Sequence, residues 1–429
     1  MAGNESAHAN GKTPTGAEML PSLGVQVKTI ERPTKEKEAQ QILARAFQEK
    51  RTVFPCGGGT ALGCGILPET VDIALDMTAM NRVLAFDPQN LNLAVLGGMT
   101  IDGINRFLAG EGKGFFLPLD PPLSNRATIG GAYAANSSGP LRLKYGAVRD
   151  QVLGVRGADA MGREIGFGGK TVKNVSGYDL TKFFIGSAGS LALLTSLSFR
   201  VSPLPEASSL CDLIFDTPEA LDKFLAVLRK SVWVPSAATV TQISAVPAGP
   251  GANGPRYRAL IGFEGHPQAV ERQNRDLLKA GQEFGARGDA RLGREEMVHA
   301  LRSAVNPDWE TGELLALKIS VPLSRGVATL AALQKSSKET NAEAKTVLLP
   351  GNGILLVYAG RLTPENAPRF LNGAKEAARA AEGVAAPLRG PQTLLSSWGP
   401  RVASSLHQSI LRPLKEELDP AGVFPPVIA

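Results

Sequence analysis

Three consecutive glycines form the segment of this chain that is best suited to binding an anion. They lie in Pro55-Cys56-Gly57-Gly58-Gly59-Thr60-Ala61, directly after a short apolar stretch. Glycine has no Cβ and tolerates positive φ, so successive main-chain N–H groups can converge on one phosphate. The Thr60 hydroxyl adds a donor at the end of this glycine loop. Taken alone, such a loop is more often an ordinary surface turn.

A second glycine-rich segment strengthens the ligand hypothesis. Residues 168–182 have the sequence Gly-Gly-Lys-Thr-Val-Lys-Asn-Val-Ser-Gly-Tyr-Asp-Leu-Thr-Lys, and residues 186–191 continue as Gly-Ser-Ala-Gly-Ser-Leu. Together with the glycine loop, this segment predicts a chain that wraps around a long cofactor containing a pyrophosphate.

Two commoner nucleotide-binding motifs do not fit the sequence. A P-loop needs a glycine five residues before Gly169, but Glu164 occupies that position and its carboxylate would repel a triphosphate. The dinucleotide motif G-x-G-x-x-G fails because Gly63-Cys64-Gly65-Ile66-Leu67 is followed by Pro68, which cannot continue a helix of that type. We therefore expect neither an NTPase nor a Rossmann-type nicotinamide dehydrogenase.

The composition is that of a globular protein with two or three domains. The 429 residues are 43% hydrophobic and 20% charged, and no stretch approaches 18 uninterrupted apolar residues, so we expect no membrane span. The net charge of +6 comes from scattered basic residues without interleaved aromatics, which argues against nucleic-acid binding. We expect a cytoplasmic protein, and peripheral association with a membrane through partner subunits stays open.

Neither the cysteines nor the histidines are spaced like metal ligands. They are Cys56, Cys64, Cys211, His8, His266, His299 and His407. This pattern favours a reducing compartment and predicts no zinc site and no iron–sulfur cluster in this chain.

The first half of the chain alternates between regular elements and irregular loops. The periodicity predicts a helix over residues 35–49, strands over 52–55, 71–76 and 91–95, and a helix over 100–108 that Thr100 caps. Residues 114–139 are rich in Gly, Pro, Ser and Asn, which is typical of a binding loop inside a compact domain.

After Pro203 the pattern changes to regularly spaced strands and helices. We predict strands over 209–215, 238–245, 257–263, 314–321 and 353–358, and helices over 218–230, 267–284, 294–304, 324–338, 364–382 and 402–418. This order predicts an antiparallel sheet with helices on one face.

The motifs combine into a family resemblance. The glycine loop, Thr128-Ile129-Gly130-Gly131, Ala135-Asn136-Ser137-Ser138-Gly139 and the segment from Lys173 to Gly189 resemble the FAD-binding domain of the vanillyl-alcohol oxidase and p-cresol methylhydroxylase (PCMH) superfamily. The resemblance covers residues 27–205. It implies an α+β fold: a two-subdomain PCMH-type FAD-binding domain, plus an α+β cap domain with an antiparallel sheet.

The resemblance also implies which residues bind FAD. The glycine loop would bind the pyrophosphate, the Ala-x-x-Ser-Gly loop would lie near the ribityl chain and flavin, and the third segment would line the adenine side. The implied residues are Cys56, Gly57, Gly58, Gly59, Thr60, Ala61, Thr128, Gly130, Gly131, Ala135, Asn136, Ser137, Ser138, Gly139, Gly189, Ser190, Leu191 and Leu193. Superfamily members often attach FAD to a histidine in the glycine loop, and because this loop has none we expect non-covalent FAD.

These observations give expected domain boundaries. Residues 1–22 would be a disordered tail, 23–205 the FAD-binding domain, and 206–400 an α+β cap that contacts substrate. Residues 401–429 would form a C-terminal helix and tail that return to the FAD-binding domain.

Within the superfamily the sequence is most similar to the E subunits of bacterial glycolate oxidases. Asp120-Pro121-Pro122, residues 169–189, Leu317-Lys318-Ile319-Ser320-Val321-Pro322 and residues 418–424 carry this similarity. It implies an FAD-dependent oxidoreductase subunit that passes electrons from a small 2-hydroxy acid through FAD to a partner or acceptor. The implied partners are a catalytic flavin subunit and an iron–sulfur subunit.

The residues for catalysis are less clearly marked. Relatives usually have Trp-Arg where this chain has Leu317-Lys318, which makes Lys318 the candidate to bind the substrate carboxylate and Arg361 a second choice. Tyr178 and Asp179 fit a structural brace better than a proton carrier, and no catalytic base or metal cluster can be named. A non-catalytic FAD-binding structural subunit therefore stays open as an alternative to an enzyme.

Overall fold

The computed structural model describes residues 13–64, 67–169, 179–243, 256–307, 314–396, 398 and 405–426. In these ranges helices and strands build one parallel sheet and larger antiparallel sheets, so the expected α+β fold class is confirmed. Residues 170–178, which include Tyr178 and most of the Lys-Asn-x-x-Gly-Tyr motif, lie outside the described residues.

The first part of the chain contributes the following elements: α1 (Gly16–Met19), β1 (Gln26–Glu31), α2 (Glu36–Gln48), β2 (Val53–Cys56), β3 (Thr70–Asp76), β4 (Val83–Asp87), β5 (Asn92–Leu96), α3 (Ile101–Gly110), β6 (Phe115–Phe116), α4 (Ile129–Ala134), α5 (Arg142–Tyr145), α6 (Val148–Gln151), β7 (Val152–Ala158), β8 (Glu164–Gly168), β9 (Leu193–Arg200) and β10 (Ser202–Pro203). Short 3₁₀ turns follow α1, β2 and β3, at Pro21–Leu23, Leu62–Cys64 and Met77–Ala79, and a fourth lies at Leu180–Lys182.

Most of these strands form two small sheets, and β6 pairs with β10 in a separate two-stranded antiparallel sheet. Strands β1, β3 and β2 are parallel, in that order, while β4, β5, β9, β7 and β8 form an antiparallel sheet. Helix α2 packs Ala39, Ile42 and Leu43 into the core beside the parallel sheet, as its periodicity predicts. Thr100 caps α3, where its hydroxyl accepts a hydrogen bond from the Gly103 N–H at 3.0 Å.

The second part contains β11 (Ala207–Phe215), α7 (Pro218–Lys230), β12 (Ala237–Ile243), β13 (Arg256–Gly265), α8 (Pro267–Glu283), β14 (Arg287–Leu292), α9 (Arg294–Val305), β15 (Leu315–Ser320), a 3₁₀ turn (Leu323–Arg325), α10 (Gly326–Thr340), β16 (Glu343–Leu349), β17 (Ile354–Gly360), α11 (Asn366–Ala380), β18 (Val384–Arg389), α12 (Gln392–Ser396) and α13 (Ser405–Leu418).

The strands of this second part form one antiparallel sheet, which we call the cap sheet. Its strand order is β14-β11-β13-β12-β16-β17-β15-β18. Apolar residues of α7, α8, α10 and α11 share a core cluster with one face of the sheet, as predicted. Helix α9 lies on the other face: Met297 and Leu301 pack there with Leu210, and with Phe116 of the first part of the chain. The expectation that the helices lie on one face is therefore wrong for α9, because its own apolar stripe fills the space between the cap sheet and the first part.

Both ends of the described chain pack against the parallel sheet. Residues 13–22, which we expected to belong to a disordered tail, contain α1, and both Ala17 and Leu20 are fully buried. At the other end the Val53 N–H donates to the Val423 carbonyl at 2.7 Å, and Val423 and Phe424 are buried in the core beside α2. The α1 segment was missed because a helix of four residues has too little periodicity to detect.

Candidate FAD site

The glycine loop forms one wall of a cavity between the two small sheets. The cavity has about 770 Å³ of space between atoms and opens to solvent. Its described lining consists of Phe54, Pro55, Cys56, Gly57, Gly58, Gly59, Thr60, Ala61, Leu62, Cys64, Met77, Gly97, Thr128, Gly130, Gly131, Ala134, Ala135, Ala188, Gly189, Ala192, Leu193 and Leu194. Strand β2 delivers the loop to this position, because it ends at Cys56 beside β3.

The main chain of the glycine loop is available to a ligand. Among the described residues, no backbone N–H of residues 57–61 donates a hydrogen bond to another protein group. Backbone N–H groups inside a protein normally donate to a partner. A row of N–H groups without one along a cavity therefore indicates a site for an acceptor on a ligand. The Thr60 hydroxyl also lines this wall.

The glycines are required by packing as much as by conformation. Gly59 has φ of +76°, where a side chain is strained. A Cβ on Gly57 would lie 2.2 Å from the Thr128 hydroxyl, and one on Gly58 would lie 1.8 Å from the Arg126 carbonyl. The loop is therefore pressed against the chain behind it, and any side chain at these positions would push it into the cavity.

The start of α4 forms a second wall. The Thr128 hydroxyl caps α4 by accepting from the Gly131 N–H at 3.2 Å, and the Gly130 N–H donates to the Gly97 carbonyl at 2.9 Å. A Cβ on Gly130 would lie only 2.9 Å from that same carbonyl. Glycine at this position lets α4 approach the neighbouring loop closely enough to narrow the cavity.

The segment before β9 forms the third wall. Ala188 and Gly189 both have positive φ, +53° and +74°, and this turn directs the main chain along the cavity. The Lys415 ammonium, from α13, donates to the Ser190 carbonyl at 2.6 Å and pairs with Asp419 at 2.6 Å. Because Asp419 in turn accepts from the Val423 and Phe424 N–H groups, the C-terminal segment fastens this wall.

The structure brings most of the predicted cofactor residues to this cavity. Twelve of them line it: Cys56, Gly57, Gly58, Gly59, Thr60, Ala61, Thr128, Gly130, Gly131, Ala135, Gly189 and Leu193. Six do not: Asn136, Ser137, Ser138, Gly139, Ser190 and Leu191. Ser190 and Leu191 are buried, with the Ser190 hydroxyl bonded to the Ser187 carbonyl, and they support the turn from behind.

Two cations outside the cavity lining, one on β15 of the cap sheet and one on α5, lie near each other, and the first lies near Cys64 of the lining. Lys318, on β15, is half-buried, and its pKa is lowered by burial and by the positive charge of Arg142. The nearby Cys64 thiol, which lines the cavity, raises the pKa of Lys318 and partly offsets this lowering. The Arg142 guanidinium donates to the Ser138 hydroxyl at 3.4 Å. We call Lys318 and Arg142 the cation pair.

No carboxylate neutralises the cation pair within the described chain. Neither side chain forms a salt bridge with any described residue. Two like charges that are close together and partly removed from water repel each other, which favours an anionic ligand between or beside them. Arg142 is the residue that sequence analysis missed, since it lies four residues after the recognised Ala-x-x-Ser-Gly loop and carries no motif of its own.

A buried carboxyl group supports the turn that carries Arg142. Asp120 is only 8% exposed, and its carboxylate accepts from the Leu141 N–H at 3.0 Å. Burial raises the pKa of Asp120 to about 7, although hydrogen bonding and the positive charge of Arg302 oppose this shift. A Cβ on Gly139 would lie 1.9 Å from the Asp120 carbonyl, so Gly139 is needed for this packing and not for cavity lining.

Other sequence candidates lie elsewhere. Arg361 is on the surface, with a side chain 87% exposed and paired to Glu343 at 3.4 Å, so it is not part of this site. Asp179 is exposed and pairs with Lys182 at 2.6 Å, so it forms no buried brace. Within the described residues no cluster of histidine, cysteine or carboxylate side chains could bind a metal ion.

The chain matches a known family model over the part that forms this cavity. A model described as an FAD binding domain matches residues 27–168, which include the glycine loop, α4 and the cavity wall between them. This part of the chain is an FAD binding domain. The recognition of the superfamily and of FAD as the cofactor is therefore confirmed.

Curated relatives agree with this assignment. The glycolate oxidase subunit GlcD of Bacillus subtilis (strain 168) is 36% identical over 44% of this chain and 40% of its own length. The D-lactate dehydrogenase of Archaeoglobus fulgidus is 33% identical over 60% of this chain and 57% of its own length. The glycolate oxidase subunit GlcE of Escherichia coli (strain K12) is 39% identical over 31% of this chain and 38% of its own length. The chain thus matches only about half, or less, of the length of these relatives.

A solved structure has the same fold across most of the chain. An alkyldihydroxyacetonephosphate synthase superposes with a TM-score of 0.69, at 18% sequence identity, over 92% of this chain and 76% of that protein. At this identity the likeness concerns the fold alone. It extends beyond the FAD binding domain and includes the cap sheet. No helix in the described part of this chain is both long and apolar enough to span a bilayer.

The residues present fit FAD. The unpaired N–H groups of residues 57–61 are suited to bind the pyrophosphate oxygens, which need donors and no bulk. The apolar wall of Ala192, Leu193 and Leu194 suits a flat ring such as adenine. Cys56 and Cys64 line the cavity, and burial raises the pKa of the Cys56 thiol far above its usual value.

Proposed function

We propose that the protein is an FAD-dependent oxidoreductase that acts on the CH–OH group of a small 2-hydroxy acid. The observation that supports this function is the cation pair, which lies beside the FAD cavity and has no carboxylate partner among the described residues. A carboxylate next to the reacting carbon is what distinguishes a 2-hydroxy acid from a simple alcohol. The relatives named as glycolate oxidase subunits and D-lactate dehydrogenases support the same substrate class.

The protein residues would bind and orient the substrate. Lys318 would contact the carboxylate as a point charge, and Arg142 would add a second donor from α5. In the reaction the C2–H bond breaks and its electron pair leaves as hydride, while the hydroxyl loses a proton and the product is a 2-oxo acid. FAD, when bound, supplies the two-electron acceptor for this step.

The group that takes the hydroxyl proton is not on the described wall of the cavity. That wall contains no histidine, carboxylate or tyrosine. Asp120 has a suitable pKa, but it supports the Leu141 turn from behind and does not line the cavity. This observation favours the second candidate function, an FAD-binding structural subunit that does not itself catalyse.

We further propose that the chain works in a glycolate oxidase-like complex with a catalytic flavin subunit and an iron–sulfur subunit. The similarity to two differently named glycolate oxidase subunits supports a complex. In this arrangement the protein is cytoplasmic, and any contact with a membrane is made through its partners. Residues 23–205 would serve as the FAD domain, 206–400 as the cap, and the C-terminal segment as a fastener of the third wall.

The test is anaerobic mixing of the purified FAD-bound chain with glycolate or D-lactate in a stopped-flow instrument. Flavin bleaching faster than about 1 s⁻¹, a typical lower turnover for enzymes, supports a complete enzyme. No bleaching by the chain alone, together with bleaching after partner subunits are added, supports the structural role. No bleaching in either case contradicts the proposed substrate class.

We also propose that FAD is bound without a covalent link, since no described cavity residue is a histidine. Acid precipitation should therefore release all flavin into the supernatant. Flavin that stays with the denatured polypeptide would contradict this proposal.

A further inference from the structure

The N-terminal segment lies against the outer side of the glycine loop. The Gly16 N–H donates to the Gly57 carbonyl at 2.8 Å, while Met19 packs beside Gly59. We call residues 14–19 the N-terminal strap. It covers the face of the loop that points away from the FAD cavity, so the loop is enclosed between the strap and the cofactor site.

One buried side chain joins the strap to the loop. The Arg126 guanidinium, on a residue only 8% exposed, lies 3.2 Å from the Gly58 carbonyl, 3.2 Å from the Pro14 carbonyl and 2.9 Å from the Met19 sulfur. All three contacts are made by one terminal nitrogen, whose two N–H groups can donate to two of these acceptors at a time. Arg126 therefore links the chain before α4, the strap and the glycine loop.

The contact between strap and loop leaves no room for an additional methyl group. A Cβ on Gly16 would lie 2.6 Å from the Gly57 carbonyl oxygen and 3.1 Å from the Gly59 nitrogen. A Cβ on Gly59 would lie 2.7 Å from the Met19 sulfur. Distances this short force the strap and the loop to move apart if a side chain is introduced.

The strap is fastened on its other side to the sheet that carries the loop. Arg32 pairs with Glu18 of the strap and donates to the buried Asp76 carboxylate at 2.9 Å. Asp76 ends β3 and is the register partner of Cys56 in β2. In addition, the Thr15 N–H donates to the Glu18 carboxylate at 2.9 Å, which closes a capping box around α1.

We propose that the N-terminal strap and Arg126 are positioning elements for FAD, which hold the glycine loop in the conformation that presents its N–H groups. A loop of three glycines has many accessible conformations, and ordering it only when the ligand arrives would weaken binding. The strap supplies that order in advance from a part of the chain that carries no ligand-binding motif. This proposal rests on the FAD binding domain and is independent of the reaction.

The experiment measures the affinity of the full-length apoprotein for FAD by flavin fluorescence quenching. Gly16→Ala and Arg126→Met should each weaken FAD binding about tenfold or more, as expected from the loss of one charge-assisted hydrogen bond or its equivalent. Arg126→Lys should keep more FAD affinity than Arg126→Met, since an ammonium retains one charged nitrogen donor for the same acceptors. Gly110→Ala is the matched control: nothing lies within 4 Å of a Cβ there, and its FAD affinity should be unchanged.

A second measurement separates positioning from general destabilisation. The melting temperature of each apoprotein should stay close to that of the wild type, while the increase in melting temperature on adding FAD becomes smaller. FAD should also slow proteolysis within residues 13–24 of the wild type and do so less in Gly16→Ala. If Arg126→Met does not fold, Met19→Leu replaces it and should weaken FAD binding about threefold by removing the sulfur acceptor.

Two results would overturn the proposal. One is FAD affinity within twofold of the wild type in folded Gly16→Ala and Arg126→Met. The other is weaker FAD binding that is fully matched by a lower melting temperature of the apoprotein, which would make the strap a stabilising element only.

Discussion

The glycine loop and the cation pair would bind negative charge by different means. The loop uses main-chain N–H groups of consecutive residues and has no charged side chain. The cation pair uses two long side chains, Lys318 from the cap sheet and Arg142 from the FAD binding domain. A main-chain site is specified locally, whereas a side-chain site exists only after distant segments have packed together.

The two sites also differ in how they depend on the rest of the molecule. The loop needs close packing behind it, from Arg126 and Thr128, and any added atom there moves its main chain. The cation pair has no carboxylate partner among the described residues, which leaves its charge available to a ligand. Substitutions that add bulk should therefore impair ligand binding at the glycine loop, and substitutions that remove charge should impair it at the cation pair.

The largest effect is expected for Gly58→Val. A Cβ at this position would lie 1.8 Å from the Arg126 carbonyl, so the loop must leave its place, and FAD should be lost from the purified protein. The reason is this collision, and not a positive φ, which Gly59 has and Gly58 does not. Flavin content per polypeptide measures the outcome, with circular dichroism to verify the fold. Full flavin content in a folded variant would show that steric packing does not control the loop.

The next effect concerns Lys318→Met, which removes a charge without adding bulk. The affinity for oxalate, an unreactive dicarboxylate probe, should fall about 10- to 100-fold, as is usual when a charged partner of a carboxylate is lost. FAD content should not change. Spectral titration of the bound flavin measures both quantities, and Arg361→Met, at an exposed position paired with Glu343, is the matched control. Equal oxalate affinity in all three proteins would remove Lys318 from the site.

A smaller effect is expected for Asp120→Asn. Asp120 supports the turn that carries Arg142 and does not line the cavity. The pKa of Asp120 rises from 3.8 to about 7 on folding, so between about pH 4 and 7 the folded chain keeps a proton that the unfolded chain has released. The free energy of unfolding therefore decreases as pH rises through this range, by no more than about 4 kcal/mol.

Asparagine does not titrate, so the variant should lack this decrease. Relative to the wild type, Asp120→Asn should gain stability between pH 4 and pH 8, and urea unfolding at the two pH values measures the difference. A stability difference that is independent of pH would mean that Asp120 is ionised throughout. At both pH values the variant should keep FAD, because Asp120 does not line the cavity.

The smallest effect is expected where α9 of the cap meets the FAD binding domain. Arg302 contacts the Asp102 carboxylate with both terminal nitrogens, at 2.6 and 3.3 Å, and both side chains are partly exposed. Asp102→Asn should cost about 1 kcal/mol in unfolding free energy, since solvent weakens such pairs. FAD and oxalate affinities should be unchanged. A change in oxalate affinity would mean that this ion pair sets the distance between the two sites.

Sequence patterns predicted local structure well in long segments whose apolar residues recur at helical spacing. The predicted helices over 218–230, 267–284 and 294–304 correspond to Pro218–Lys230, Pro267–Glu283 and Arg294–Val305. The edge strands β14 and β18 were not predicted, because their exposed or mixed residues have no clear alternation. The face on which α9 packs was also beyond prediction, since periodicity shows that a helix has an apolar stripe but not what covers it.

The sequence by itself indicated the glycine loop as an anion-binding segment, because a run of residues without a Cβ can present its main-chain N–H groups to a ligand and is visible in the sequence. Three other features depended on the tertiary structure: Arg142 lies near Lys318, Arg126 links the N-terminal strap to the glycine loop, and Ser190 lies behind the cavity wall and not on it. Each is a relation between segments far apart in the chain. Such relations follow from how sheets and helices bury their apolar faces against one another, and residue spacing does not record that packing.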